Sequence, residues 1–317
     1  MSLKAKTKSL VKNKVARVGE ITPDFPSRIN IEPTNHCNLR CRMCPRKDLT
    51  RPVGEIDMDL FDKLAHEIST HAPTEVRLHK DGEPLMNPRI FDMIEHMKTI
   101  APSTLLNMDT NALLLDEEKA EKLLDSRLDV LLFSVNAATA DTYKKVRGST
   151  RFDQVIANIE RFLAMRRERG YVWPRVKVQL IVMQDTRDEI GLFKEQWGSH
   201  DVDVLLIPAI NWGGLRPEVG SLMQMPERRY PCTYLWNSFS VNWDGKVSFC
   251  NVDFDQMGVI GDLNRQTIES VWKGEEFRRY RALHKQGRWG EIELCRNCNY
   301  WAYTKNVWYP VPGMGWK

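Results

Sequence analysis

Seven cysteines, grouped three and four, constrain this chain more than any other feature. Cys37, Cys41 and Cys44 share one short loop, and Cys232, Cys250, Cys295 and Cys298 lie in the last third. The first residues are polar and Lys-rich, with no apolar stretch of the secretory kind. An odd number of cysteines in such a chain does not read as a disulfide framework. The grouping reads as two metal sites, so the fold must bring thiols together from distant segments.

The spacing Cys37-x3-Cys41-x2-Cys44 leaves each site a distinct chemistry. Three thiolates cannot by themselves close a tetrahedral zinc site, whereas a cubane held by three leaves one iron open to a small chelator. A zinc knuckle borrowing His36 is the alternative, and the adjacency of His36 to Cys37 counts against it. Four thiolates in the second set are enough to close a cubane or a zinc site completely. Structural zinc usually takes two close pairs, and only Cys295 and Cys298 are so paired.

Around these loops, strand-like and helical patterns alternate. Strands are expected at Arg28–Glu32, Glu75–Leu78, Thr104–Met108, Val130–Val135, Arg175–Met183 and Val204–Ile207. Helical spacing falls between them, at Leu60–Ile68, Pro88–Ile100, Glu117–Leu124, through Tyr143, at Phe152–Arg169 and at Glu189–Trp197. This α/β alternation implies a parallel sheet with helices outside it. With 42% apolar residues, 317 residues can build a sizeable core. The pattern changes near Arg216. There Phe239–Asn242 and Lys246–Phe249 flank Asp244-Gly245, a favoured hairpin turn, and a helix is expected at Ile268–Leu283. The expected organisation is a basic arm (residues 1–27), a βα domain (28–215), a small cysteine-bearing module (216–300) and an aromatic tail (301–317).

Charge and hydropathy exclude other classes. Lys4, Lys6, Lys8, Lys12, Lys14 and Arg17 all precede the first acid, Glu20, so the body is near neutral and no nucleic-acid-binding stripe is expected. Mean hydropathy is −0.45, and no run approaches the roughly 18 apolar residues of a membrane span. A membrane protein is not expected, and the expected location is cytoplasmic.

The stretch Thr34-Asn35-His36-Cys37-Asn38-Leu39-Arg40-Cys41-Arg42-Met43-Cys44 resembles the cluster loop of the radical S-adenosylmethionine (SAM) superfamily. Asp81-Gly82-Glu83-Pro84 resembles that family's SAM-binding Gly-Gly-Glu-Pro segment, with Asp81 in place of the first glycine. The resemblance implies that the open iron chelates SAM and that Glu83 receives its ammonium beside Gly82. It implies too that Met43 lies by the adenine and that Ser134 and Asn136 contact the ribose or carboxylate. Asp109-Thr110-Asn111 and Tyr143–Gly148 resemble family segments as well.

Trp243-Asp244-Gly245-Lys246-Val247, Gly261-Asp262-Leu263, Trp272 with Gly274, Arg278–His284 and Cys295-Arg296-Asn297-Cys298 resemble the SPASM/twitch module of the same superfamily. Together the two resemblances imply a partial (β/α)6 barrel with a small twitch-like module of hairpin and helix. They also imply two [4Fe–4S] clusters, SAM as co-substrate, and a flavodoxin- or ferredoxin-type reductant.

The cysteine spacing is most similar to members that oxidise a secondary alcohol of an aminocyclitol. All seven thiols are used as ligands, so none remains to donate a hydrogen atom, as sugar epimerases of this architecture require. The expected reaction is therefore oxidation of a secondary alcohol of an amino sugar or aminocyclitol. A 5′-deoxyadenosyl radical abstracts the carbinol hydrogen and the second cluster takes the electron. Epimerisation with a tyrosine donor, cross-linking of a ribosomal peptide and a pure electron-transfer role are the alternatives. The residues before the first strand are too few for a leader-binding domain, which disfavours the peptide reading. Arg216, between the two cysteine sites, is expected to hold substrate hydroxyls or assist deprotonation. His79, at the end of the second strand, is expected to be a core histidine.

Overall fold

The computed structural model describes residues 22–219, 222 and 224–306. Most of the expected basic arm and most of the aromatic tail, with Trp308, Tyr309 and Trp316, lie outside the described residues. Six parallel strands build the first part: β1 (Arg28–Ile31), β2 (Glu75–Leu78), β3 (Leu105–Thr110), β4 (Val130–Ser134), β5 (Arg175–Val182) and β6 (Asp203–Pro208). The helices between them are α1 (Met58–His71), α2 (Ile90–Ile100), α3 (Glu117–Asp125), α4 (Ala140–Arg147), α5 (Phe152–Glu168) and α6 (Ile190–Gly198). Caps place their starts: Asp57 accepts from the amides of Asp59 and Leu60 at α1, and Thr139 from Thr142 at α4.

Parallel strands covered on both faces normally read as continuous apolar runs. Here they alternate instead. Ile29, Ile31, Val76, Leu78, Leu106 and Leu131 are fully buried under the helices, while Arg28, Asn30, Glu75, Arg77, Asn107, Asp109, Lys177 and Gln179 line an interior lumen. The period of two thus leaves a lumen rather than a filled core, with Val130, Leu132, Leu205 and Ile207 as its apolar part.

The expected hairpin forms as β7 (Ser238–Val241) and β8 (Lys246–Ser248), antiparallel. It does not stand apart from the barrel. β7 pairs parallel with β1, Ile29 opposite Phe239, and the nine-stranded order is β6-β5-β4-β3-β2-β1-β7-β8-β9. The added strand, β9 (Val259–Asp262), contains Gly261 and is too short to show alternation. Three short helices occupy this region: α7 (Tyr234–Asn237), α8 (Ile268–Trp272) and α9 (Glu275–Lys285). One helix was expected over 268–283, and Gly274 breaks it: the residue is extended, with ψ 166°, and caps α9. Helices α10 (Glu293–Arg296) and α11 (Tyr300–Asn306) complete the described chain. Phe239, Trp272 and Phe277 pack together, and the buried Arg281 guanidinium lies 4.1 Å over the Trp272 ring. Among the described residues, no helix is long and apolar enough to cross a membrane.

Candidate active site

The first cysteine loop lies beyond the carboxyl end of β1, where parallel sheets keep their ligands. Its backbone is docked on two sides. The Arg42 amide donates to Val146 O (2.8 Å) at the end of α4, and the Glu83 amide donates to His36 O (2.7 Å). Gly82 permits the second contact, because a Cβ there would stand 2.1 Å from Thr34 O and 2.7 Å from His36 O. Burial pushes the Cys37 thiol up to about 11 and the Cys44 thiol up to about 12, with Cys41 adding to both. Arg147 is buried beside them. Burial alone would lower its pKa, yet Cys41, Tyr143 and Cys37 raise it. Its Nε has no partner. Sequence reasoning missed Arg147, although Tyr143–Gly148 was noted as a segment.

Glu83 is buried and receives Thr110 Oγ1 (2.6 Å), the Asn111 amide (2.8 Å) and the Leu85 amide (3.2 Å). These use three of about four acceptor positions. Burial raises its pKa, against these donors. Ser134 Oγ accepts from Asn136 Nδ2 (3.0 Å) and Gln179 Nε2 (3.4 Å). Asn136 is fully buried with φ 63°, and its Oδ1 accepts the Ile181 amide at 2.9 Å, so its side chain is committed to the sheet. Met43 packs in a small apolar cluster with Val146, Met183, Ala209 and Val219.

Asp81 belongs to a buried charge network that no sequence motif signalled. Arg51 donates to both Glu32 oxygens (2.8 and 2.7 Å), to Asp81 (3.1 Å) and to Phe254 O (2.6 Å). Lys80 donates to Asp81 and, at 2.9 Å, to Asp253 O. Burial works against the charge on Glu32, but Lys80 and Arg51 hold its pKa below the usual range. Burial pushes Asp81 up to about 6. The network fastens the segment after Cys44 to the segment after Cys250.

The structure also brings the second four cysteines together. Burial raises the Cys250 thiol, and Cys232, Cys298 and Cys295 add to the rise. The Tyr300 amide donates to Cys298 Sγ at 3.3 Å, and His284 Nδ1 accepts the Cys232 amide at 3.2 Å. Arg229 lies 4.9 Å over the Trp289 ring, and its charge acts on Cys295, Cys298 and Cys232.

All seven cysteines are free thiols. Among the described residues, no group of three or more His, Cys, Asp or Glu is arranged to hold a metal ion. A cubane carries its ligands on separate irons, so its sulfurs need not converge on one point. Thiols gathered in threes and fours, an N–H···S bond and one arginine beside each set fit that donor chemistry.

A short segment after β6 joins the two sets. Arg216, 4% exposed, donates to Cys44 O at 2.9 Å and pairs with Asp48 (3.3 Å) and Glu218 (3.1 Å). At the other end, the Asn211 amide donates to Asn299 Oδ1 (2.9 Å), and Asn211 Nδ2 donates to Asn297 O (2.7 Å). Gly213 and Gly214 have φ 71° and 95° there, and a Cβ on Gly213 would stand 2.4 Å from Leu294 Cδ1.

The barrel encloses the lumen, a cavity of about 250 Å³. Tyr234, Tyr300 and Tyr303 close it on the side of the second set. His79 continues the inward face of β2 beyond Arg77. Burial lowers its pKa, with Asp109, Arg77, Glu32 and Lys80 as charged neighbours, and its Nδ1 has no partner.

Residues 31–193 match the radical SAM superfamily and residues 232–299 an iron–sulfur cluster-binding domain, SPASM; the chain belongs to the radical SAM superfamily. Membership implies SAM and iron–sulfur chemistry at these loops. Among its relatives is the S-adenosyl-L-methionine-dependent 2-deoxy-scyllo-inosamine dehydrogenase of Niallia circulans, 24% identical, with 86% of this chain and 92% of that protein covered. A GTP 3′,8-cyclase of Chlorobaculum tepidum is 26% identical over 56% of this chain, which spans about half (51%) of the cyclase.

Two solved structures share the fold. BtrN in complex with AdoMet and 2-DOIA has a TM-score of 0.60 at 20% identity, covering 86% of this chain and 92% of BtrN. Streptococcus suis SuiB bound to precursor peptide SuiA has a TM-score of 0.69 at 12% identity, covering 97% and 78%.

Proposed function

We propose that this chain is a radical SAM dehydrogenase that oxidises a secondary alcohol of a sugar- or cyclitol-sized substrate to a ketone. One [4Fe–4S] cluster sits on Cys37, Cys41 and Cys44, and another on Cys232, Cys250, Cys295 and Cys298. The observation that carries this reading is the commitment of every cysteine to one set or the other. No thiol lines the lumen to return a hydrogen atom to a substrate radical. The lumen is also small, below the roughly 300–1,000 Å³ of most ligand pockets, and carries many polar side chains, which suits a compact polyol better than a peptide.

When bound, SAM and the first cluster supply a 5′-deoxyadenosyl radical that takes a carbon-bound hydrogen atom, and the second cluster supplies a one-electron sink. The chain's own residues do the rest. Glu83 would hold the SAM ammonium with its remaining acceptor position, Arg147 would pair with the carboxylate, and the Ser134 hydroxyl would donate to the ribose or carboxylate. Met43 and Val146 offer the adenine an apolar surface. Asp81, Gly82 and Asn136 shape the site as members of the charge network, the close backbone contact and the sheet. His79, two residues beyond Arg77 on β2, takes the carbinol proton: burial lowers its pKa and its Nδ1 has no partner. Arg216 has its donors turned to Cys44 O, Asp48 and Glu218, so it acts as a positioning residue rather than on substrate.

The test is to give the reconstituted enzyme, with reductant and SAM, a panel of aldohexoses, hexuronates and cyclitols deuterated at the carbinol carbons. The expected outcome is deuterium in 5′-deoxyadenosine, none returned to product, and one SAM consumed per ketone. Solvent hydrogen at an inverted carbinol carbon would make the enzyme an epimerase, a reading favoured by the three lumen tyrosines. A mass loss of two on a peptide, with all polyols inert, would replace both.

A further inference from the structure

The lumen carries a charge pattern that specifies its occupant further. Three cations line it, Arg28, Arg77 and Lys177, against two carboxylates, Glu75 and Asp109. Both carboxylates are already engaged by arginines. Arg28 Nε stands 3.0 Å from Glu75, and Arg77 stands 3.4 Å from Glu75 and 3.5 Å from Asp109. Lys177 has no hydrogen bond or ion pair among the described residues. Its neighbour across the β5–β6 ladder, Asp203, faces Arg175 at 4.0 Å instead. An ammonium lining a small cavity, with the cavity's acids spent elsewhere, is a binding group for an anion.

Resting on the reading of the lumen as the substrate site, we infer that the substrate carries a single anionic substituent, a carboxylate or phosphate, and that Lys177 binds it. The geometry fits such a molecule. Lys177 precedes Gln179 by two residues on one face of β5, about 6–7 Å along the strand. Gln179 in turn reaches Ser134 at the SAM end of the barrel. An acid held at Lys177 therefore leaves a sugar ring at the level of Asn30, Asp109 and Gln179, with its far carbons toward the first cysteine site. A cationic amino substituent finds no free carboxylate at this depth. This sets the substrate apart from the amino sugar that resemblance alone implies.

The test is anaerobic titration calorimetry on the reconstituted enzyme with SAM and no reductant. The probes are glucuronate, glucose 6-phosphate, glucose and glucosamine. The expected result is that one or both acids bind at least tenfold tighter than glucose and glucosamine, and glucuronate against glucose 6-phosphate tells carboxylate from phosphate. Lys177→Met should erase that preference, and Lys177→Arg should keep most of it. Glucosamine binding as tightly as the acids would overturn the inference. So would failure of both acids to bind, or a preference unchanged in Lys177→Met. A separate variant, Leu132→Trp, fills the lumen. Acid binding that survives it would show that the acids bind elsewhere and that the lumen reading itself fails.

Discussion

The residue most exposed to a direct test is His79. Buried among strand ends, it is held below the usual histidine range, chiefly by loss of water and against the pull of Asp109. A proton acceptor with a lowered pKa works above that pKa and fails as pH falls through it, so turnover should be flat near neutrality and drop below pH 6.5. His79→Gln should lower turnover about 10²–10⁴-fold and abolish that acidic limb, while SAM cleavage without substrate stays intact. An unchanged limb in the variant would assign the proton elsewhere. Cys37, Cys41, Cys44, Gly82 and Glu83 stand out in the sequence because each sits in a short contiguous motif whose residue types have few other uses, whereas Cys232 and Cys250 stand out only by being cysteines. Arg147, Lys80, Arg51 and Glu32 do not stand out. Each is a single charged residue in a stretch of ordinary composition, and its role exists only once distant segments meet.

Elements were legible where periodicity ran long and illegible where pairing was remote. All six strands of the barrel and the helices between them lie within a few residues of their expected positions. The junction between β1 and β7 had no local signal, since its partners are joined only by tertiary pairing, and Gly274 split a helix whose apolar spacing continued through it. The turn after β2 illustrates how tightly elements are set against one another. Gly82→Ala would drive a methyl into the Thr34 carbonyl, a clash costing about 1–3 kcal/mol or more. Such a variant should lose about half its iron on reconstitution and unfold at lower temperature, with the second cysteine site still loaded. Full iron content, measured by chelation assay, would mean that the cluster loop can retreat without cost.

For the whole molecule, continuity of the sheet matters more than the division of the chain into parts. A chain ended after Arg216 should expose the β1 edge that β7 covers, and unpaired edges template association. Size-exclusion chromatography should show it as oligomer or aggregate. A stable monomer would mean that the barrel edge is self-sufficient. The same pairing sets a clock on assembly. Arg28 must wait for Ser238, and at roughly 5–20 residues per second of synthesis that wait is on the order of ten to forty seconds. Throughout it, the nascent barrel carries an open edge. The strand that closes it lies between Cys232 and Cys250, whereas Cys295 and Cys298 are made later still, so the edge is sealed before the second set of thiols can be gathered.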